Sequence, residues 1–133
     1  NNGVFVASFI AEIRDFNATL AGDANLAFIH NALEQAAKEI EVATQWVIEQ
    51  ANRNPDEINA AAVDYLHAFG LLCYAYMWAK MSKAAVGKDD VFYADKLRLA
   101  QFFTTRMLPE LTSRLASLKS GSDAVMNFEM SYF

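Results

Sequence analysis

His67 follows Asp64 by three residues and His30 precedes Glu34 by four. Both spacings put the pair on one face of a helix, where an imidazole and a carboxylate can share a metal ion or a proton. A di-iron carboxylate bundle needs two Glu-x-x-His motifs and two further inward glutamates, and the sequence does not contain that set. The histidines therefore read as surface or core-edge residues. Cys73 is the only cysteine. A nucleophilic thiol wants an electropositive, accessible setting, whereas Leu71, Leu72 and Tyr74 surround this one, so it reads as a buried structural residue. Phe69, Tyr74, Tyr76 and Trp78 have the chemistry to line a flavin or acyl pocket, but aromatics at helical spacing are the ordinary material of a core. No haem attachment sequence, phosphate loop, dinucleotide glycine motif or HExxH occurs, and Ser, His and Asp show no recognisable local arrangement. No catalytic, cofactor-binding or metal-binding residue is assigned.

The elements that carry these side chains follow from caps and periods. A first helix over about 4–20 spaces Phe5, Phe9, Ile13 (or Glu12), Phe16 and Leu20 along one face. Gly22 stops it and Asp23 caps the next. Helix two, about 24–53, carries Leu26, Ile29, Leu33, Ala36, Ile40, Ala43 and Val47 in alternating steps of three and four, an unbroken heptad seam. Asn54-Pro55-Asp56-Glu57 is the strongest local signal: an N-cap, proline at the first helical position and two acids in the first turn. Helix three, about 55–86, presents Ile58, Ala62, Tyr65, Phe69, Leu72, Tyr76 and Ala79 on one seam. Leu66, Gly70, Cys73 and Met77 form an adjacent one.

The run Ala68–Ala79 has no charge, and a helix apolar on nearly every side is expected to be surrounded by others. Helix three is thus the expected axis of the domain, with Lys80 and Lys83 near its C-terminal carbonyls. Helix four, about 89–119, points Tyr93, Leu97, Ala100, Met107 and Leu111 inward, and Pro109 should bend it near Thr105 without stopping it. Short connections between these helices predict an all-α, up-down antiparallel four-helix bundle. Its first helix, about 25 Å long, faces others of about 45 Å, so roughly half of one groove stays uncovered. The tail 121–133 alternates Met126, Phe128, Met130 and Tyr132 with polar residues, a pattern of period two or a short helix with an extended end, and needs a docking surface.

The chain has 133 residues, 54% of them hydrophobic, with five glycines and two prolines. That composition excludes disorder and suits one helical domain. A net charge of -5 without a basic stripe excludes a phosphate-backbone footprint, so nucleic acid is not an expected partner. No apolar run approaches the roughly 18 to 20 residues of a membrane span, and the start lacks the basic region and cleavage site of a signal peptide. A cytoplasmic protein is the expectation.

Several phrases carry a family resemblance. Tyr65-Leu66, Gly70, Tyr76-Met77-Trp78-Ala79-Lys80-Met81 and Ala84-Ala85 are followed by Phe92-Tyr93, Lys96-Leu97, Ala100-Gln101-Phe102-Phe103 and Arg106-Met107-Leu108-Pro109. With Asn2-Gly3 and Ala11-Glu12-Ile13, this pattern resembles the C-terminal appended helical domain of acyl-CoA dehydrogenases of the 3-methylmercaptopropionyl-CoA dehydrogenase type. The resemblance implies a parent oxidoreductase of fatty acid metabolism that uses FAD to convert an acyl-CoA to the 2,3-enoyl-CoA. Its flavin site and glutamate base lie in preceding domains, and no cofactor belongs to this segment. The segment is then a non-catalytic piece that packs on those domains or on a neighbouring subunit as a homo-oligomer. The alternative is a stand-alone helical-bundle binding or dimerisation module. Phe5, Phe9, Phe16, Met126, Phe128 and Tyr132 form the expected self-association patch, on the side left open by the short first helix.

Overall fold

Three of the connections between helices are set by side-chain caps. Asp23 Oδ1 accepts from the Asn25 N–H (2.9 Å), Asn54 Oδ1 from the Asp56 N–H (3.1 Å) and Asp90 Oδ1 from the Phe92 N–H (2.9 Å). Each bond satisfies a donor that a first helical turn leaves open. Gly22 and Gly87, with φ of 87° and 80°, take the left-handed conformation that closes the preceding helix, which a side chain would resist.

The computed structural model describes residues 3–121. Among them the helices are α1 (Val4–Ala18), α2 (Ala27–Ala51), α3 (Pro55–Ala85), α4 (Val91–Phe102) and α5 (Glu110–Lys119). A 3-10 turn at Ala24–Leu26 leads into α2. Counting α4 and α5 as the two parts of the fourth helix, the architecture is an up-down antiparallel four-helix bundle with a short first helix, and no strand occurs among the described residues. The expected tail lies outside the described residues beyond Gly121.

The α2 seam is the centre of the core. Leu26, Ile29, Leu33, Ala36, Ile40 and Ala43 are buried, and Val47 is half-buried. On α1 the inward face is rotated from the expected one: Ile10, Ile13, Asn17 and Leu20 are buried while Phe5 is 76% exposed. Phe9 and Phe16 sit at the edge and meet Tyr76 edge-on at 5.9 and 5.6 Å. Arg14 clamps α1 to α2 through Glu34 (3.2 Å) and Glu41 (2.9 Å). The hydrogen bonds to Glu41 do most to hold its guanidinium charged, against the opposing effect of burial.

The fourth helix is not the continuous bent helix expected over 89–119. A π-helical turn at Phe103–Met107 separates α4 from α5, and the Leu108 N–H donates to the Phe103 carbonyl at 2.9 Å, a five-residue step. Pro109 has no N–H to give Thr105, so the ladder loosens one residue earlier and takes up an extra residue. The inward face consequently steps from Phe103 to Leu108, both buried, and resumes at Leu111, Leu115 and Leu118. Met107, expected inside, is 47% exposed.

Helix α3 also departs from expectation. Ala61, Ala68, Leu72, Ala75, Tyr76 and Ala79 are buried, but the helix is not surrounded. Leu66 and Met77, expected to touch a second neighbour, point to solvent, as does Ile58. Lys83 lies in the last turn of α3, yet its ammonium sits 5.4 Å from the Phe16 ring centroid, and that of Lys80 sits 4.3 Å from the Tyr76 ring. Both lysines shield aromatic edges.

Candidate functional site

The residues with chemical potential are dispersed. The Asp64 carboxylate accepts from Arg114 Nη1 at 3.4 Å, tying α3 to α5, and leaves His67 exposed. Glu34 turns to Arg14, while His30 Nδ1 meets the Asn17 carbonyl at 3.0 Å. Neither His–carboxylate pair closes, and among the described residues no group of three His, Cys, Asp or Glu side chains is placed to hold a metal ion. Cys73 is half-buried rather than buried, and that burial pushes its thiol up from the ordinary range. Such a thiol is a poor nucleophile at neutral pH.

Tyr65 is held in place instead of being free for chemistry. Its hydroxyl lies 2.6 Å from Thr44 Oγ1, and the Thr44 hydroxyl donates to the Ile40 carbonyl at 2.7 Å. Since Thr44 has one hydroxyl hydrogen and it is engaged, Tyr65 is the donor of the pair. Burial raises its phenol above the usual range.

What the fold does assemble is a surface. At 3.6 residues per turn, Ala62, Leu66, Cys73 and Met77 fall within about 60° on α3, and Val63, Gly70, Tyr74 and Met81 continue the same side to about 120°. None of these positions carries a charge, and Lys80, at the angle of Ala62, marks the edge of the strip. Leu66 is 72% exposed and Tyr74 61% exposed, while Val63, Met77 and Met81 are also open. The strip runs over 19 residue steps, or about 28 Å. Beside it, Leu99 and Phe102 of α4 and Met107 of the π turn are exposed, and with Tyr74, Trp78 and Phe103 they line an open cavity of about 410 Å³. The π turn extends this face: by taking up the extra residue it buries Leu108 and turns Met107 outward.

The aromatic cavity lacks what a flavin dinucleotide requires. A flavin dinucleotide brings a pyrophosphate, which needs cationic side chains or a cradle of N–H donors. The lining is Tyr74, Trp78, Leu99, Phe102, Phe103 and Met107, carbon-rich and without Lys or Arg. Trp78 stacks on Phe103 at 6.4 Å and 29°, so part of the aromatic surface is already used internally. These residues do not fit FAD.

Leu66, Tyr74, Met77, Leu99, Phe102 and Met107 thus leave apolar side chains open on one side of the bundle. The family described as acetyl-CoA dehydrogenase C-terminal like matches residues 9–129. The chain belongs to this family. The match covers nearly the whole bundle, including all of α2, α3, α4 and α5. Comparison with curated proteins gives no significant match.

Of the expected self-association patch, Phe5 is open, Phe9 and Phe16 are packed on the rings of α3, and Met126, Phe128 and Tyr132 lie outside the described residues. Open apolar surface is therefore also found on α3 and α4. A strip of period-four apolar residues was readable in the sequence, at Leu66, Gly70, Cys73 and Met77. Its exposure was not, because an apolar stripe looks the same whether its partner lies within the domain or outside it. No helix of the described residues is long and apolar enough to cross a membrane.

Proposed function

We propose that this chain is the non-catalytic C-terminal helical domain of an FAD-dependent acyl-CoA dehydrogenase, of the type that includes 3-methylmercaptopropionyl-CoA dehydrogenase. Its task is to dock on the preceding domains or on a neighbouring subunit of the same cytoplasmic homo-oligomer. The observation that carries this reading is the apolar strip of α3, from Ala62 to Met81 with Lys80 at its edge, joined to Leu99, Phe102 and Met107. Family membership supplies the context of an acyl-CoA dehydrogenase. In the parent reaction FAD accepts the hydride and a glutamate takes the proton; both belong to the preceding domains. This segment contributes buried area and relative position. A stand-alone dimerisation module is the other use of the same face.

The test is direct. Purified alone, the chain should be colourless and should form no enoyl-CoA when given FAD and an acyl-CoA. Leu66→Glu combined with Met77→Glu in the intact enzyme should weaken assembly on a sizing column while leaving the bundle's helical signal unchanged. Stoichiometric flavin in the isolated chain would overturn the reading, as would unchanged assembly of the double variant.

A further inference from the structure

The outward side of α4 has a pattern of its own. Phe92, Asp95, Leu99 and Phe102 follow one another at steps of three, four and three, the spacing of a heptad seam, and fall within about 80° on the helix. All four are exposed. Ala100, the residue that α4 buries, lies about 120° from the middle of this line. A continuous α-helix would bring Arg106 onto the seam next; the π turn takes up one residue more and brings the exposed Met107 there instead.

We propose that this seam is the contact surface for a second copy of the same chain, the two α4 helices packing antiparallel about a two-fold axis at Leu99. The proposal rests on the docking reading and narrows it, giving the α4 side of the open face one partner and leaving the α3 strip to the rest of the enzyme. The seam matches itself. Phe92 lies about 10 Å before Leu99 along the helix and Met107 about 10 to 12 Å after it. An antiparallel copy therefore sets Leu99 on Leu99 and each Phe92 ring against Met107 of the other copy, a sulfur–aromatic contact made twice.

The charges match as well. Asp95 lies about 6 Å before Leu99 and Arg106 about 10 Å after it, so across the two-fold axis each Asp95 comes within a side chain's reach of the other copy's Arg106. Asp95 uses Oδ1 on Arg98 at 3.3 Å, while Arg106 is exposed and has no ion-pair partner among the described residues. The area suffices too. Phe92, Leu99, Phe102 and Met107 are each about half exposed, and with the rim of Asp95, Arg98 and Arg106 the open surface is on the order of 800 Å² per copy, the share one partner contributes to a standard interface. A partner of different sequence would need none of this symmetry.

A residue on a two-fold axis meets itself, which supplies the test. In the full chain with Cys73→Ser, Leu99→Cys is treated with a short bis-maleimide, and the expected product is a covalent dimer. Val63→Cys in the same background, exposed on α3 outside the seam, should be joined at least about tenfold more slowly, because only paired thiols meet at an effective millimolar concentration. Equal rates for the two cysteines, or no dimer from Leu99→Cys, overturn the proposal. With Cys73 intact, Asp95→Arg and Arg106→Asp should each weaken dimerisation by about tenfold or more in sedimentation, through like charges at two symmetric places. The double variant should recover most of the loss, and a failure to recover it overturns the two-fold register. A monomeric seam alongside an α3 strip still protected in the intact enzyme refutes this pairing and leaves the docking reading standing; loss of both refutes both.

Discussion

Asn17 and His30 bind α1 to α2 twice. Asn17 Nδ2 donates to the His30 carbonyl at 3.0 Å, and His30 Nδ1 lies 3.0 Å from the Asn17 carbonyl. A carbonyl only accepts, so Nδ1 carries the hydrogen. Asn17 is fully buried, and the pair fixes the rotation of the short first helix that places Phe9 and Phe16 on Tyr76.

This reciprocal pair makes Asn17→Ala costly for an α1 position. The loss should be about 1 to 3 kcal/mol, because a buried polar contact disappears along with packing. His30→Ala should lose about 1 kcal/mol, the cost of one bond at a half-buried core-edge position. Urea unfolding monitored by circular dichroism measures both; a midpoint unchanged by Asn17→Ala would show that the pair does not hold α1.

Leu72 is fully buried at the centre of α3, and His67 is exposed. Leu72→Ala should therefore destabilise by about 2 to 5 kcal/mol, and His67→Ala by less than about 0.5 kcal/mol. The same unfolding experiment compares them. A large loss at His67, reproduced by a chelator, would point to a metal site and against the structural reading.

Much of this fold was legible because several signals were local. The caps at Asp23 and Asn54 marked where helical segments start, and the α2 seam carried its burial pattern in its spacing. Two features were hidden for physical reasons. The π turn arises from competition between Pro109's missing donor and the packing of Phe103 and Leu108, which no local pattern displays. The outward face of α3 depends on what lies beyond the domain; the sequence reported its apolarity and not its exposure. Asn17 was missed because a buried amide has no periodic signature, although its position one turn beyond Ile13 marked the inner face.

Cys73 reports on the burial of the apolar strip of α3. Burial raises its thiol pKa, so at neutral pH the native protein holds less thiolate than the unfolded chain. Alkylation by iodoacetamide should be slower in the native state than in urea, and the gap should narrow as pH rises through the folded thiol's range. The stability linked to this group has the same sign: it is fully present below the unfolded thiol's pKa and is lost as pH rises through the folded one. Equal native and unfolded rates at neutral pH would contradict the partial burial.

The most direct measurement is hydroxyl-radical footprinting of Tyr74, Met77 and Met81 in the isolated chain and in the intact enzyme, read by mass spectrometry. All three side chains are open on α3 in the bundle alone. If this face docks the domain, their oxidation should fall several-fold in the intact enzyme while that of exposed Phe5, on α1, stays the same; oxidation of the α3 residues at equal rates in both would contradict the account.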